Sequence, residues 1–388
     1  MEAYLDNAAT TMVAEPARKK VLEMMELCYG NPSSRHSKGF EAEKTITSAK
    51  KIIADTLKCD PREILFTSGG TESNNMALIG TAYANQRSGK HIITTRIEHA
   101  SVHEPLAFLE EQGFTVTYLP VNENGIVSKE ELLQAIDDET ILISLMHVNN
   151  EVGSIQPLEM LVQAARKKKP DVIIHVDGIQ AYGKVKINPG KAGIDLYSVS
   201  GHKIHGPKGV GFLYIRDKTK IKPLIYGGGQ QKGMRSGTEN VPGIAGLGEA
   251  VRFMYSDFSG HREKLYGLKS YLLELLKEKV TDYQVNGLEG ISITDTAPHI
   301  VSVSFRGIRS EVLLHALAAE GVYVSSGSAC SSNHPELSGT LKAIGVEDSL
   351  LDSTLRFSFS VFTTKQELEY AVDKLAELLP KLRKYTRH

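Results

Sequence analysis

An α/β fold, with a large and mainly parallel sheet followed by a smaller α+β unit, is what this sequence predicts. Short apolar runs alternate with helix-like stretches over most of the first 240 residues, and that rhythm places strands between covering helices. The runs are rich in Ile and Val without strict alternation, as expected of strands buried on both faces. Later in the chain the rhythm gives way to one long helical pattern, an alternating strand and amphipathic helices, an α+β arrangement.

In chain order, Glu63-Ile64-Leu65-Phe66-Thr67 leads through Gly69-Gly70-Thr71 into a helical stretch reaching Ala82. His91-Ile92-Ile93-Thr94-Thr95 precedes a helix around Leu106-Ala107-Phe108-Leu109. Val116-Thr117-Tyr118-Leu119, Ile141 to Met146 and Val172 to Val176 continue the series, and Gly209 to Ile215 is expected to enter the sheet in the opposite sense. After Gly243 a long helical pattern runs through Ala250, Phe253, Leu265, Leu268, Leu272 and Leu276, with Gly260 and Gly267 as candidate breaks. A domain boundary is expected near Ser256, dividing a large domain (15–256) from a small one made of 1–14 with 257–388. Within the latter, Ile300 to Phe305 alternates like a half-buried strand, and 311–320 and 365–379 read as amphipathic helices.

Composition narrows the function classes. In 388 residues, 45 Lys and Arg nearly cancel 46 Asp and Glu, so no global field favours nucleic acid or an anionic membrane. The clusters Lys167-Lys168-Lys169 and Lys381-Leu382-Arg383-Lys384 read as solvated helix ends. Met1 to Asp6 lacks the basic and apolar regions of a secretory signal, and no apolar run approaches a membrane span. Cys28, Cys59 and Cys330 are far apart and form no C-x-x-C pair, so a reducing cytoplasm is the expected setting.

The chemistry concentrates in Ser200-Gly201-His202-Lys203, which a glycine-proline turn follows. A lysine among glycines, partly desolvated, is a candidate Schiff-base nucleophile, although a lone lysine is more often a surface residue. Asp177 shifts that balance. It closes the strand-like run before this one, and an acid and a lysine at neighbouring strand ends suit an aldehyde cofactor with a protonated ring nitrogen. Ser68-Gly69-Gly70-Thr71 lies between a strand and a helix, where backbone N–H groups can receive a phosphate; no Gly-Lys-Ser/Thr follows, so it is not a Walker loop. Glu98-His99-Ala100-Ser101-Val102-His103 lacks the intervening glutamate of a zinc helix, and no metal is expected. Gly70, His99, Asn150 and Asp177 each follow a strand, and loops at the carboxyl ends of parallel strands converge on one crevice.

Longer motifs carry a family resemblance. Leu5 to Thr11, Asn31-Pro32-Ser33-Ser34 with His36, Phe66 to Asn75, His147 to Glu151 and His175-Val176-Asp177-Gly178 with Gln180 all resemble segments of the cysteine desulfurases. So do Ser200 to Lys203, Arg235 to Asn240, Ser325 to Cys330 and Arg356-Phe357-Ser358, and together these motifs span almost the whole chain. The resemblance implies a homodimeric enzyme of the aspartate-aminotransferase-like fold type I. It would use pyridoxal 5′-phosphate to convert L-cysteine to L-alanine and pass the sulfur to an acceptor protein such as an iron–sulfur cluster scaffold. Carried over by position, Lys203 would hold the cofactor through its amine and Asp177 would pair with the ring nitrogen. His99 would stack on the ring and move protons, Gln180 would bond the phenolic oxygen, and Asn150 would contact ring or substrate. Gly70, Thr71, Ser200 and His202 would hold the phosphate, with Thr238 reaching in from the second subunit. Arg356 would bind the substrate carboxylate through a bidentate fork.

Cys330 separates this activity from other enzymes of the fold, since an aminotransferase needs no cysteine there. A lone cysteine is usually a small buried hydrophobe. Its neighbours Ser325, Ser326, Gly327, Ser328, Ser331 and Ser332 form a polar run unsuited to a core, which favours a nucleophile that takes sulfur as a persulfide. Cys28 and Cys59 lack that context and read as structural. A selenocysteine lyase or another lyase or aminotransferase of the fold is the alternative, and a non-catalytic scaffold is disfavoured by the presence of Lys203 and Asp177. Phe359-Ser360-Val361-Phe362 departs from the Gly and then Arg or Asn usual in the family, and Asn333 to Leu337 has its own composition; both bear on the choice of acceptor.

Overall fold

The computed structural model describes residues 1–326 and 337–384. The first strand is β1 (Ala3–Tyr4), and seven strands then build one sheet: β2 (Ile64–Thr67), β3 (His91–Thr95), β4 (Thr115–Leu119), β5 (Thr140–Met146), β6 (Ile173–Asp177), β7 (Leu196–Ser200) and β8 (Gly211–Ile215). Their spatial order is β2-β8-β7-β6-β5-β3-β4. Neighbours from β7 through β6, β5 and β3 to β4 run parallel, whereas β8 is antiparallel to both β7 and β2. That meets the expectation for Gly209 to Ile215. Being antiparallel to antiparallel β8, β2 points the same way as the parallel set, so its carboxyl end opens on the same edge.

The sheet is covered on both faces, and successive residues along a strand serve opposite layers. Ile93, Ile143, Leu145, Ile174 and Val176 pack with residues of the helices Ser37–Leu57, Leu158–Lys168 and Val241–Ser256. Ile92 and Leu142 face the other way, against Leu78 and Ala82 and against Val102, Leu106 and Leu109 of the helix Ala100–Glu111.

The remaining strands are β9 (Tyr283–Asn286), β10 (Ile300–Phe305), β11 (Val322–Tyr323), β12 (Ser325–Ser326) and β13 (Thr354–Ser358). Four of them form an antiparallel sheet in the order β12-β13-β10-β9, while β11 pairs in parallel with β1. A second core unites Val301, Val303, Phe305, Leu355 and Phe357 with Leu268, Leu272 and Leu276 of the helix Phe258–Lys279 and Leu368, Val372 and Leu375 of the helix Lys365–Arg383.

Two local expectations need correction. The long helical pattern breaks at Asp257, not at Gly260 or Gly267: Asp257 takes φ −141° and ψ 61°, and its carboxylate accepts from the Gly260 N–H at 3.1 Å, starting the next helix. Both glycines lie inside that helix. The strand β10 alternates as expected, yet all six residues are buried. Its polar face is not solvated because Asn286 donates to Ser302 and Ser304 at 3.2 and 2.9 Å, and the Ser304 and Thr354 hydroxyls are bonded at 2.7 Å.

Among the described residues, no helix is long and apolar enough to cross a membrane. Phe357 is fully buried and meets Phe305 edge to face, with ring centroids 6.5 Å apart. Phe357→Ala should therefore destabilise the protein by about 3–5 kcal/mol. Denaturant unfolding of both proteins checks this, and a loss of less than about 1 kcal/mol would contradict the packing described.

Candidate active site

The carboxyl ends of β2, β3, β5, β6 and β7 meet around a cavity of about 270 Å³. Gly70 and Thr71 enter it after β2, His99 after β3, Asn150 after β5, Asp177 and Gln180 at the end of β6, and Ser200, His202 and Lys203 at the end of β7. Arg356 comes from β13 on the smaller sheet, and Ala8 and Ala9 from the segment following β1. The structure thus brings together ten of the sequence-predicted residues. Thr238 is exposed and does not line this cavity. Cys330 lies outside the described residues.

Asp177 is the buried charge of the site. Its Oδ2 accepts from Asn74 Nδ2 at 2.8 Å and its Oδ1 from the Ile179 N–H at 2.9 Å. Burial pushes its carboxyl up from the ordinary value, against the opposing pull of those hydrogen bonds and of His99 and Lys203. Behind it, the Cβ of any other residue at Gly178 would lie 2.0 Å from the Tyr197 ring, so glycine permits the strand end to pack there. Asn74 also donates to Ser101 Oγ at 2.9 Å, tying Asp177 to the start of the helix that His99 caps.

His99 accepts from the Ser101 N–H on Nδ1 at 3.0 Å, so in the neutral ring the proton sits on Nε2. Lys203 Nζ donates to the carbonyls of Ala8 at 2.6 Å and Ala9 at 2.7 Å. The Gln180 amide spans the Ala8 carbonyl at 2.9 Å and His299 Nε2 at 3.2 Å. At the β7 end, His202 Nδ1 lies 3.1 Å from Thr10 Oγ1, and burial, then the charges of Lys203, Lys208 and Lys184, push its imidazole down to about 4. Arg356 donates from Nη2 to Asp6 Oδ1 at 2.8 Å and from Nη1 to the Asn150 carbonyl at 2.9 Å.

The segment bearing Thr238 is clipped to the residues at β2 and the turn after it. The Gln231 amide exchanges two 2.8 Å hydrogen bonds with the Phe66 backbone, and the Arg235 guanidinium forks onto Glu72 at 2.8 and 3.2 Å. Cys28 is buried, and burial with three nearby carboxylates pushes the half-buried Cys59 thiol up to about 12, a poor nucleophile. Among the described residues, no group of three or more His, Cys, Asp or Glu could hold a metal ion.

Sequence reasoning gave no role to Asn74, Asp6 or Glu98, although the first two fall inside the motifs Phe66 to Asn75 and Leu5 to Thr11. Glu98 is wholly buried; its Oε1 accepts from Thr95 Oγ1 and the Met146 N–H, both at 2.8 Å. It ties the turn before His99 to the end of β5. Chemically, the cavity offers an amine, a buried carboxylate, an imidazole and a guanidinium around one space. That set suits a planar cationic ring bearing an aldehyde, with a carboxylate-bearing substrate beside it.

The class-V aminotransferase family model matches residues 3–371. Cysteine desulfurase IscS of Dictyoglomus turgidum is 44% identical, the alignment covering 98% of this chain and 95% of that protein. The Escherichia coli enzyme of the same name is 42% identical over 98% of this chain and 93% of its own length. Among solved structures, a NifS-like protein superposes with a TM-score of 0.92 at 37% identity, covering 98% of this chain and 100% of that one. SspA in complex with cysteine gives 0.82 at 34% identity over 93% of this chain and 100% of that one. This chain belongs to the class-V aminotransferases and, within them, to the cysteine desulfurases. Its fold is accordingly fold type I of the pyridoxal-phosphate enzymes.

Burial pushes the Glu98 carboxyl from 4.5 up to about 8. Between those values the unfolded chain binds fewer protons than the folded one, so this group's contribution to stability falls as pH rises and is lost above about 8. Glu98→Gln removes that dependence. The stability of the native protein relative to the variant should decline between about pH 5 and about pH 8 in paired denaturant titrations. A difference independent of pH would contradict a protonated Glu98.

Proposed function

We propose that this chain is a cysteine desulfurase that converts L-cysteine to L-alanine, holds the sulfur as a persulfide on Cys330, and passes it to an acceptor protein for iron–sulfur cluster or other thio-cofactor assembly. The observation that carries the reading is the convergence of the Lys203 amine and the buried Asp177 carboxylate on one cavity at the strand ends, with Arg356 across from them. Cysteine desulfurases match almost the full chain, and a structure resembling it holds cysteine.

Pyridoxal 5′-phosphate fits the residues present: a carboxylate that burial disfavours as a lone anion gains a cationic partner, and Lys203 offers an amine within the same cavity. When bound, it supplies an electron sink for the bond changes at the substrate Cα. Lys203 would hold it and then take the Cα proton, Asp177 would keep its ring nitrogen protonated, and His99 would stack on it and move a proton. Gln180 and Asn150 would orient the ring, and Gly70, Thr71, Ser200 and His202 would take the phosphate. Exposed Thr238, on a segment clipped at Gln231 and Arg235, suits a role in the partner's site of a homodimer. Arg356 receives the substrate carboxylate. The Cys330 thiolate would attack the substrate sulfur, the carbon–sulfur bond breaking with its electron pair going to carbon; protonation of that carbon and return of the Cα proton from Lys203 then yield alanine. We place the activity in the cytoplasm, with a large domain of 15–256 and a small one of 1–14 with 257–388.

Cys330→Ser should bind cofactor and L-cysteine as the native protein does, yet gain no mass of sulfur and release almost no alanine. Intact-protein mass spectrometry after cysteine addition, with alanine assayed in parallel, tests this. Sustained alanine production by the serine variant would overturn the assignment of Cys330 and favour transamination or β-elimination.

A further inference from the structure

Arg356 is 4% exposed, and its charge is already shared before any substrate arrives. One terminal nitrogen donates to the Asp6 carboxylate at 2.8 Å and the other to the Asn150 carbonyl at 2.9 Å. Each terminal nitrogen keeps a second N–H, and because Arg356 lines the cavity these can receive a ligand carboxylate.

Asp6 cannot easily move out of the way. Its backbone bridges Ser358, two residues along β13 from Arg356. The next two residues bind the same place: Asn7 Nδ2 donates to the Ser358 carbonyl at 3.0 Å, and the Ala8 N–H to Ser358 Oγ at 2.8 Å. The carboxylate itself is only 22% exposed. A fixed anion therefore sits on the guanidinium that faces the substrate. A ligand with one carboxylate can still use the unoccupied N–H groups of Arg356. A second carboxylate on the ligand would meet Asp6 at short range with no further charge from Arg356 to offset it.

We propose that Asp6 is a specificity-determining residue, which shares the guanidinium of Arg356 and thereby restricts the pocket to amino acids with a single carboxylate. The inference rests on the reading, given above, that Arg356 receives the substrate carboxylate. It adds a negative element to the site: discrimination against acidic substrates by a charge in the protein, separate from any fit of the substrate thiol.

Calorimetric titration of the holoenzyme with propionate and with succinate tests it, in the native protein, Asp6→Asn and Arg356→Gln. The native protein should bind succinate no more tightly than propionate. Asp6→Asn keeps an oxygen acceptor for Arg356 but removes the charge, and should tighten succinate about tenfold more than propionate. Equal changes for the two ligands, or none, would overturn the proposal. Arg356→Gln separates the two ideas. If it loses propionate binding while Asp6→Asn changes nothing, the role of Asp6 alone is wrong; if it binds propionate normally, the assignment of Arg356 fails and the inference with it. Should Asp6→Asn not fold, the native protein decides alone, since succinate binding more than about tenfold tighter than propionate contradicts a discriminating Asp6.

Discussion

A carboxylate is held almost out of water at the end of the strand nearest the middle of the large sheet. Removing an ion from water costs several kcal/mol unless partners replace the solvent, and among the described residues Asp177 has a side-chain amide, a backbone N–H and the charges of His99 and Lys203. Much of the surrounding architecture serves that arrangement. Asn74 reaches it from the helix after β2, Gly178 lets Tyr197 close in behind it, and parallel neighbours bring His99, Asn150 and Lys203 around the same space. A buried carboxylate short of charge compensation is what a site for a cationic ligand requires. A closely held cationic ring would supply about 4 kcal/mol at ~4 Å and an effective dielectric near 20.

The short segment from Asp6 to Thr11 joins the two sheets through the site. Asp6 meets Arg356, the carbonyls of Ala8 and Ala9 receive the Lys203 amine, Ala8 also receives Gln180, and Thr11 Oγ1 donates to the His202 carbonyl at 2.9 Å. A strand residue from the smaller sheet and a turn after β7 are thereby set in register by six residues of backbone. Positioning of this kind belongs to a site whose groups must stay aligned while a ligand exchanges partners with them.

Much of the fold was legible because buried strands leave an unmistakable composition. Ile92-Ile93, Ile141 to Met146 and Ile173-Ile174 allowed only a few alternatives, and β3 and β10 fall on the residues expected. Asp257 was less legible, since a break made by one capping carboxylate leaves no glycine or proline behind. The burial of Ser302 and Ser304 was hidden for a different reason: alternation reports which face is polar, whereas Asn286 and Thr354, distant in sequence, decide whether that face is wet. In the site, the residues that line the cavity were readable from motifs. Those that hold them, Asn74, Asp6 and Glu98, act through contacts between remote segments that spacing does not reveal.

Pairing with a cationic cofactor ring is the role that burial assigns to the Asp177 carboxylate. Equilibrium binding of pyridoxal 5′-phosphate to the native protein and to Asp177→Asn, followed by cofactor absorbance, tests it most directly. Asparagine keeps the size and the acceptor oxygen but removes the charge. The expected loss of affinity is about 10²- to 10³-fold, in line with an attraction of about 4 kcal/mol. Undiminished binding by the asparagine variant would contradict it.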